Sequence, residues 1–252
     1  MISHKVKVYP SKIDLPKKNQ LAWKIAEIAS DNAKLDKAAI EMVINRIIDN
    51  ASVAIASLNR KAVISSREMA LKHPRKNGAN LFGIDSKLKF DCEWAAWSNG
   101  TAVRELDFHD TFLAEDYSHP GDNIPPILSV AQQTKKSGLD LLRGIITGYE
   151  VQVNLVKGIC LHKHKIDHIA HLGPSVAAGL GAMLKLNTET ITKQFNKLYI
   201  QQFQQDNLEK VKSLVGKLTP LLTLVNLQSK QLIGQCVEKV LQVLFMKVKT
   251  VL

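Results

Sequence analysis

The stretch "GPSVAAGLGAML", residues 173–184, decides the fold class that we predict for this chain. Proline is favoured in the first turn of a helix, where its missing N–H is not needed. The remaining residues are small or apolar, and a helix that is apolar all round is buried. Glycine and alanine also let neighbouring backbones approach closely. We therefore expect a buried helix over residues 174–186, packed tightly against other helices.

Working outward, apolar residues recur at helical spacing through most of residues 1–191. Asp36 is the predicted cap of a long second helix, and Pro74 should end the third. No segment alternates strongly enough to predict a strand. The predicted fold class is all-α, with further helices at residues 19–33, 62–71, 91–104, 127–134 and 139–156.

Composition is that of an ordinary globular protein, with 45% hydrophobic and 23% charged residues in 252. The N-terminus has no apolar signal region, and no apolar run approaches the length of a membrane span. The three cysteines, Cys92, Cys160 and Cys236, lack CxxC spacing, which favours reduced thiols in the cytoplasm. We expect Cys92 and Cys160 to be core residues rather than nucleophiles.

The net charge of +11 divides unevenly along the chain. Residues 1–191 carry 25 Lys+Arg and 20 Asp+Glu, a net of +5, and residues 192–252 carry nine Lys and three acids, a net of +6. The first segment has no basic block and no aromatic–basic interleaving, so we expect no nucleic-acid partner. Its charge suits the attraction of small polyanions.

Titratable side chains are concentrated in "NGTAVRELDFHDTFLAEDYSHPGDNIPP", residues 99–126. Asp107, Asp110 and His119 are candidates for proton transfer, because a carboxylate beside an imidazole can hold a base near neutral pH. Thr111 has a hydroxyl that can donate to a substrate carboxylate. The Asn-Gly and Pro-Gly pairs would let backbone amides approach a bound anion. The alternative is a polar loop whose side chains cap helix ends.

A second cluster, "LHKHKIDHIAHLGPS", contains His162, His164, His168 and His171. On a helix, the second and third of these histidines, and the third and fourth, would share a face, which is workable zinc geometry. The interleaved lysines would repel a cation, and the sequence has no HExxH. A solvated basic loop with one or two buried histidines, or a site that binds a polycarboxylate, is the alternative.

Two long runs carry a family resemblance. "WSNGTAVRELDFHDTFLAEDYSHPGDNIPPILSVAQ" and "GYEVQVNLVKGICLHKHKIDHIAHLGPSVAAGLGAMLKLNTETI" resemble the MmgE/PrpD family, and the likeness covers about residues 18–191. The resemblance implies a large helical domain and a smaller α+β lid, assembled as homodimers. It also implies action on small polycarboxylates without a metal, an iron–sulfur cluster or another cofactor.

The resemblance further implies a lyase reaction, the loss of water from 2-methylcitrate to give 2-methyl-aconitate. On the family's pattern, Asp107 and His119 are catalytic and Thr111 binds substrate. The family's second histidine lies in an "HPxS"-like turn, which here reads "LGPS", so His168 and His171 are the substrate-binding candidates. The alternatives are another polycarboxylate lyase or isomerase, similar to cis-aconitate decarboxylase, and a non-catalytic protein that binds a metal or an anion.

Residues 192–252 differ in composition from the rest of the chain. They contain 12 Leu and 9 Gln and no Ala, Arg, His or Trp. With permitted synonymous codons, the neighbouring reading frame begins "YQAIQQ" at this point and can be read as a continuation of the family. We therefore expect a one-nucleotide frameshift near residue 192, with loss of the lid and of activity. A separate helical domain is the alternative, with helices at residues 208–215 and from 221 onward.

Overall fold

The computed structural model describes residues 2–7, 9, 10 and 12–196. This part of the chain is mainly helical, and the all-α prediction is confirmed. Its α-helices are α1 (Leu21–Ser30), α2 (Lys37–Ala56), α3 (Lys61–Leu71), α4 (Cys92–Arg104), α5 (Ile124–Gln133), α6 (Gly138–Gly158) and α7 (Leu172–Leu184). The strands are short: β1 (Pro74–Ala79) and an antiparallel hairpin of β2 (Phe112–Leu113) and β3 (Tyr117–Ser118).

Helix ends follow local chemistry. The carboxylate of Asp36 accepts a 3.2 Å hydrogen bond from the Ala39 amide, which confirms the predicted cap of α2. Helix α5 begins at Ile124, three residues earlier than predicted. Two prolines, Pro125 and Pro126, lie in its first turn, where missing N–H groups cost nothing. The prolines therefore start this helix instead of delaying it.

The core is centred on the contact between α6 and α7. Every residue of α7 from Leu172 to Met183 is buried. A Cβ atom on Gly179 would lie 2.6 Å from the carbonyl oxygen of Gly144, so only glycine permits this approach of the two backbones. The close packing that was predicted from the small residues of α7 is confirmed. This contact fixes the helices that flank the candidate site.

One extended segment was not predicted. The turn-rich residues after α3 include β1, which is joined by isolated bridges to Phe90. A Cβ atom on Gly78 would overlap the Phe90 carbonyl, so the glycine allows the two backbones to meet. The strand lies at the edge of the helical array and forms no central sheet.

The described chain ends in residues 188–196, which are helical. Phe195 is buried and packs in a cluster with Ile25 and Ala29 of α1. The helices predicted at residues 208–215 and from 221 onward lie outside the described residues. Within the described part of the chain, no helix combines the length and the apolar character needed to cross a bilayer.

Candidate active site

The titratable stretch connects α4 to α5. Between these helices it contains the β2–β3 hairpin and a 3-10 turn over Pro120–Asn123. Asp107 begins the stretch with a backbone φ of 57°, a left-handed conformation that aspartate tolerates better than most residues. The chain therefore turns sharply as α4 ends, and the hairpin then brings it back towards α5.

Asp107, Thr111, His119 and His168, which we name the outer cluster, lie close together. The Nε2 atom of His119 is 3.7 Å from Oδ1 of Asp107, and its Nδ1 atom is 3.3 Å from the Thr111 hydroxyl. The ring centroids of His119 and His168 are 5.5 Å apart. The structure thus assembles four of the five predicted site residues.

The protonation of His119 follows from its contacts. Its Nδ1 atom lies 3.2 Å from the carbonyl oxygen of Asp110, which can only accept, so Nδ1 carries the proton. Burial, and then the Arg104 guanidinium, hold the pKa of His119 below its usual value. The imidazole is therefore neutral at pH 7, and its Nε2 lone pair faces Asp107.

The two histidines of the second cluster that were assigned to substrate binding have different surroundings. His168 is buried, and its ring packs 4.6 Å from that of Tyr117. Neither of its ring nitrogens has a hydrogen-bond partner, although Nδ1 is 3.1 Å from Asp167. His171 is also buried, but its Nε2 atom faces Asp116 at 3.8 Å. Of these two histidines, His168 is the one in ring contact with His119.

Beneath the outer cluster is a second group, His109, Asp110, Asp122 and Tyr149, which we name the inner network. Asp110 accepts from the Tyr149 hydroxyl at 2.9 Å, and Asp122 is 2.8 Å from Nε2 of His109. Burial raises the pKa of Asp110. Burial also acts to raise the pKa of Asp122, but the contact with His109 outweighs it, and the pKa of Asp122 is lowered. Asp110 was a candidate for proton transfer, but its contacts make it a structural residue.

The backbone amides expected to approach an anion are already used. The Gly121 amide donates to the carboxylate of Asp110 at 2.7 Å. This amide is therefore not available to an anion from solution. Asn99 is buried within α4, where its side chain accepts from the amide of Phe82 and donates to the carbonyl of Asn80. The predicted anion site at these two glycine pairs is therefore wrong, because the Gly121 amide binds Asp110 and the amides of Asn99 and Gly100 lie inside α4, where helical hydrogen bonds use them.

The zinc geometry considered for the histidine cluster required one helix. Instead, the structure has two 3-10 turns, His162–His164 and His168–His171, separated by Lys165 with a φ of 58°. Asp116 fixes this segment by accepting from the amide of Leu161 at 2.8 Å and contacting Nδ1 of His162 at 2.6 Å. The prediction that these histidines share one face of a helix is therefore wrong. Asp116 instead holds this segment against the hairpin, which brings His168 near His119.

Two features were missed in the sequence. Arg104, in the last turn of α4, has its Nη1 atom 3.1 Å from Asp107 and 4.0 Å from Asp122. Its spacing of three residues before Asp107 on a helix end was the available signal. In addition, the possible metal-ligand atoms of Asp107, His109 and His119 lie within 4.8 Å of one another. These three residues, rather than the 162–171 cluster, are the arrangement that could hold a cation.

Comparison with known proteins agrees with this architecture. The family described as "MmgE/PrpD N-terminal domain" matches residues 19–203. A mitochondrial 2-methylcitrate dehydratase of Yarrowia lipolytica is 31% identical over 135 residues, which are 49% of this chain and 26% of that protein. The 2-methylcitrate dehydratase of Salmonella typhimurium is 29% identical over 125 residues, 46% and 26% of the two chains.

A cis-aconitate decarboxylase of Mus musculus is 34% identical over 96 residues, 34% of this chain and 19% of that protein. The matched part spans about a quarter of the length of the two dehydratases. The family match covers most of this chain, including all of α1–α7 and the outer cluster. The chain is therefore a helical domain of the MmgE/PrpD type, and it belongs to the MmgE/PrpD family.

Proposed function

We propose that the site of this chain is that of a hydro-lyase which dehydrates 2-methylcitrate to 2-methyl-aconitate, a step of propionate breakdown. The observation that carries the proposal is the outer cluster. A neutral imidazole, His119, presents its Nε2 lone pair beside the carboxylate of Asp107. Similarity to the dehydratases supports the choice of substrate.

The reaction breaks one C–H and one C–O bond, forms a C=C bond and releases water. His119 takes the proton from the carbon next to a carboxylate, and Asp107 stabilises the imidazolium that forms. The imidazolium can return its proton to the departing hydroxyl where both groups face the same side of the substrate. We assign Thr111 and His168 to the substrate carboxylates. His171 lies one layer further back, against Asp116, and acts on the site through the turn that carries His168.

Two alternative functions are each supported by a specific observation. A decarboxylase reaction is supported by the likeness to the mouse enzyme, over a shorter span. Metal binding is supported by the proximity of Asp107, His109 and His119. Zinc analysis of the purified protein separates the second alternative. Stoichiometric zinc that disappears in His119→Ala would replace the lyase proposal, whereas zinc far below one equivalent agrees with it.

The assembly and the location of the protein stay predictions. Homodimers and the absence of a nucleic-acid partner are expected from the family resemblance and the charge distribution. A reducing compartment such as the cytoplasm is expected from the spacing of the cysteines. Cys92 is fully buried, as predicted, whereas Cys160, which was also expected in the core, is only half-buried; both are free thiols. Cell fractionation and size-exclusion chromatography with light scattering measure location and assembly directly.

We also propose that residues from about 192 onward are read from a neighbouring frame. The composition of residues 192–252 supports the proposal. The family match to residue 203 and the burial of Phe195 favour a boundary further along. The nucleotide sequence around codon 192, confirmed in the source DNA, tests the proposal. A frame that reads on as this chain does, without any family-like alternative, would contradict it.

The functional test compares two proteins. The present chain and a version with the frame restored near residue 192 are expressed side by side, and 2-methylcitrate dehydration is followed by the absorbance of the new double bond. We expect turnover in the restored version and little in the present chain, because the proposed frameshift would remove the lid that the family resemblance implies. Comparable turnover by the present chain would overturn the expected loss of activity, and no turnover in either would overturn the substrate assignment.

A further inference from the structure

Arg104 and the outer cluster contain buried polar atoms that have no hydrogen-bond partner. Nη1 of Arg104 is buried and makes no hydrogen bond, although it is 3.1 Å from Oδ1 of Asp107. Both ring nitrogens of His168 also lack a hydrogen-bond partner, and this residue is only 6% exposed. Unsatisfied buried polar groups are costly, so their convergence in one place indicates a missing ligand.

The missing ligand has a definite charge. The charge of Arg104 also acts on the two imidazoles. For His119, burial and then the Arg104 guanidinium lower the pKa. For His168, burial lowers the pKa, Asp167 opposes this decrease and Arg104 adds to it. A cation would be repelled by this guanidinium, whereas a carboxylate would receive hydrogen bonds from Arg104 and from the ring N–H of His168. The geometry therefore favours an anion with planar oxygens.

We propose that Arg104 binds a carboxylate of the substrate, and that Asp107 occupies this position until the substrate arrives. The inference rests on the proposed function and deepens it, because it names the residue that recognises the polycarboxylate. Asp107 is well placed to exchange, since its side chain is 66% exposed and lies between Arg104 at 3.1 Å and His119 at 3.7 Å. When a substrate carboxylate takes Arg104, Asp107 is released to pair with the imidazolium that forms when His119 takes the proton.

The exchange explains why the two acidic neighbours of Arg104 differ. Asp122 is buried, is held by His109 at 2.8 Å and stands 4.0 Å from Nη1 of Arg104, so it stays in place as a fixed countercharge. Asp107 has no comparable anchor. With a fixed and a displaceable carboxylate around one guanidinium, Arg104 is paired when the site is empty and stays paired when an anion replaces Asp107.

The experiment uses a non-reactive probe, propane-1,2,3-tricarboxylate, and isothermal titration calorimetry on the full chain at pH 7 and low salt. Arg104→Met keeps an unbranched apolar stem without the charge, and Arg104→Lys keeps the charge without the planar fork. The matched control is Arg60→Met, because Arg60 is also an arginine paired with a carboxylate, that of Glu105 at 3.4 Å, but it is exposed at the N-cap of α3. Asp107→Asn removes the proposed competitor.

We expect Arg104→Met to weaken binding at least about tenfold, as expected for loss of a charge-assisted hydrogen bond, and Arg104→Lys to weaken it less. Arg60→Met should bind like the unchanged chain. Asp107→Asn should bind several-fold more tightly, because it no longer competes for Arg104. In NMR spectra, the imidazole signals of His119 and His168 should move on addition of the probe, and this movement should be lost in Arg104→Met.

Three results would overturn the inference: no binding by the unchanged chain, unchanged affinity in Arg104→Met, or weaker binding in Asp107→Asn. Should Arg104→Met fail to fold, Arg104→Lys and Asp107→Asn still decide, because their expected changes have opposite signs. None of these measurements depends on turnover. A chain that binds the probe through Arg104 but dehydrates no 2-methylcitrate would therefore support the inference and contradict only the proposed reaction.

Discussion

The inner network and the outer cluster share one short stretch of sequence, yet the carboxylates that it contributes to them have opposite surroundings. In the inner network, the carboxylate of Asp110 receives the Gly121 amide and the Tyr149 hydroxyl, and Asp122 is paired with His109. In the outer cluster, Asp107 is exposed and His168 has unsatisfied nitrogens. Asp107 and Asp110 are only three positions apart, but the first is exposed and the second is held by hydrogen bonds.

The difference shows how a loop can be rigid and reactive together. Satisfied buried polar groups stabilise one conformation of the chain. Unsatisfied buried groups beside them, such as the ring nitrogens of His168, are costly unless a ligand completes them. The inner network holds the turn at Pro120–Asn123, and this turn carries the neighbouring His119. Substitutions in the inner network should therefore lower stability, and substitutions in the outer cluster should lower activity.

The largest expected effect is the loss of the proposed base. In whichever form of the protein turns over 2-methylcitrate, His119→Gln should lower kcat by about 10²–10⁴, the usual contribution of a positioned general base. Glutamine preserves a side chain that can donate to the Asp110 carbonyl, so the fold should be retained. Steady-state kinetics at saturating substrate measure the change.

The control for that variant is His164→Gln, because His164 is exposed and lies outside the outer cluster. Its kcat should stay within about twofold of the unchanged value, since surface substitutions seldom perturb a distant site. Equal losses in the two variants would show that His119 acts through stability alone and would remove it from the chemistry.

The next largest effect concerns the inner network. Gly121→Ala should lower the free energy of unfolding by about 2–3 kcal/mol, because overpacking a filled site displaces its neighbours. The new Cβ atom would overlap Oδ1 of Asp110 and lie 2.9 Å from Nδ2 of Asn50. Urea denaturation followed by circular dichroism gives the value.

Gly138→Ala is the matched comparison, because a Cβ atom there meets nothing within 4 Å at the start of α6. It should be neutral or slightly stabilising, since alanine restricts the unfolded chain. If both alanine variants unfold at the same urea concentration, the close packing of Gly121 against the inner network is not important for stability.

Much of the fold could be predicted from the sequence, because helical periodicity and caps are local signals. The Asp36 cap and the close packing of α7 are examples, and both are confirmed. The strand at Pro74–Ala79 was missed because its signal is a distant contact, the approach of Gly78 to the Phe90 carbonyl. No local pattern reports which remote backbone lies opposite a glycine.

The site divides in the same way. The types of residue in the sequence were enough to predict Asp107, Thr111 and His119 as site residues, and the structure brings these three together. Their neighbours could not be read from spacing, since Tyr149 comes from α6, 39 residues after its partner Asp110. The histidine segment was considered as a helix, yet it contains a left-handed Lys165 and is held by a carboxylate from the hairpin. Tertiary contacts override the local pattern there.

A smaller effect is expected from acid. Burial lowers the pKa of His119, His168 and His171. As the pH falls through about 6.5, the unfolded chain therefore takes up protons before the folded chain does. Stability contributed by these neutral histidines is present above pH 6.5 and is lost as the pH falls towards their folded-state pKa values. Urea denaturation at intervals from pH 7.5 to pH 5 should show the decrease.

His171→Gln should flatten this pH dependence, because one of the three buried imidazoles is removed. His164→Gln should leave the slope as it is, because that ring is exposed. The slope is the measured quantity, so a general loss of stability in either variant does not affect the conclusion. A steeper slope in His171→Gln would contradict the assignment of the acid sensitivity to the buried histidines.

The smallest expected change in stability is at Asp107. Asp107→Asn should alter the free energy of unfolding by less than about 0.5 kcal/mol, because exposed side chains contribute little to the folded state. Asparagine also tolerates the φ of 57° found at this position, so no strain is added. The same variant should lose most turnover, because the imidazolium of His119 loses its carboxylate. Unfolding curves and kinetics on one preparation measure both. A destabilisation as large as that of Gly121→Ala would place Asp107 with the inner network, and the distinction between a structural and a reactive carboxylate would fail.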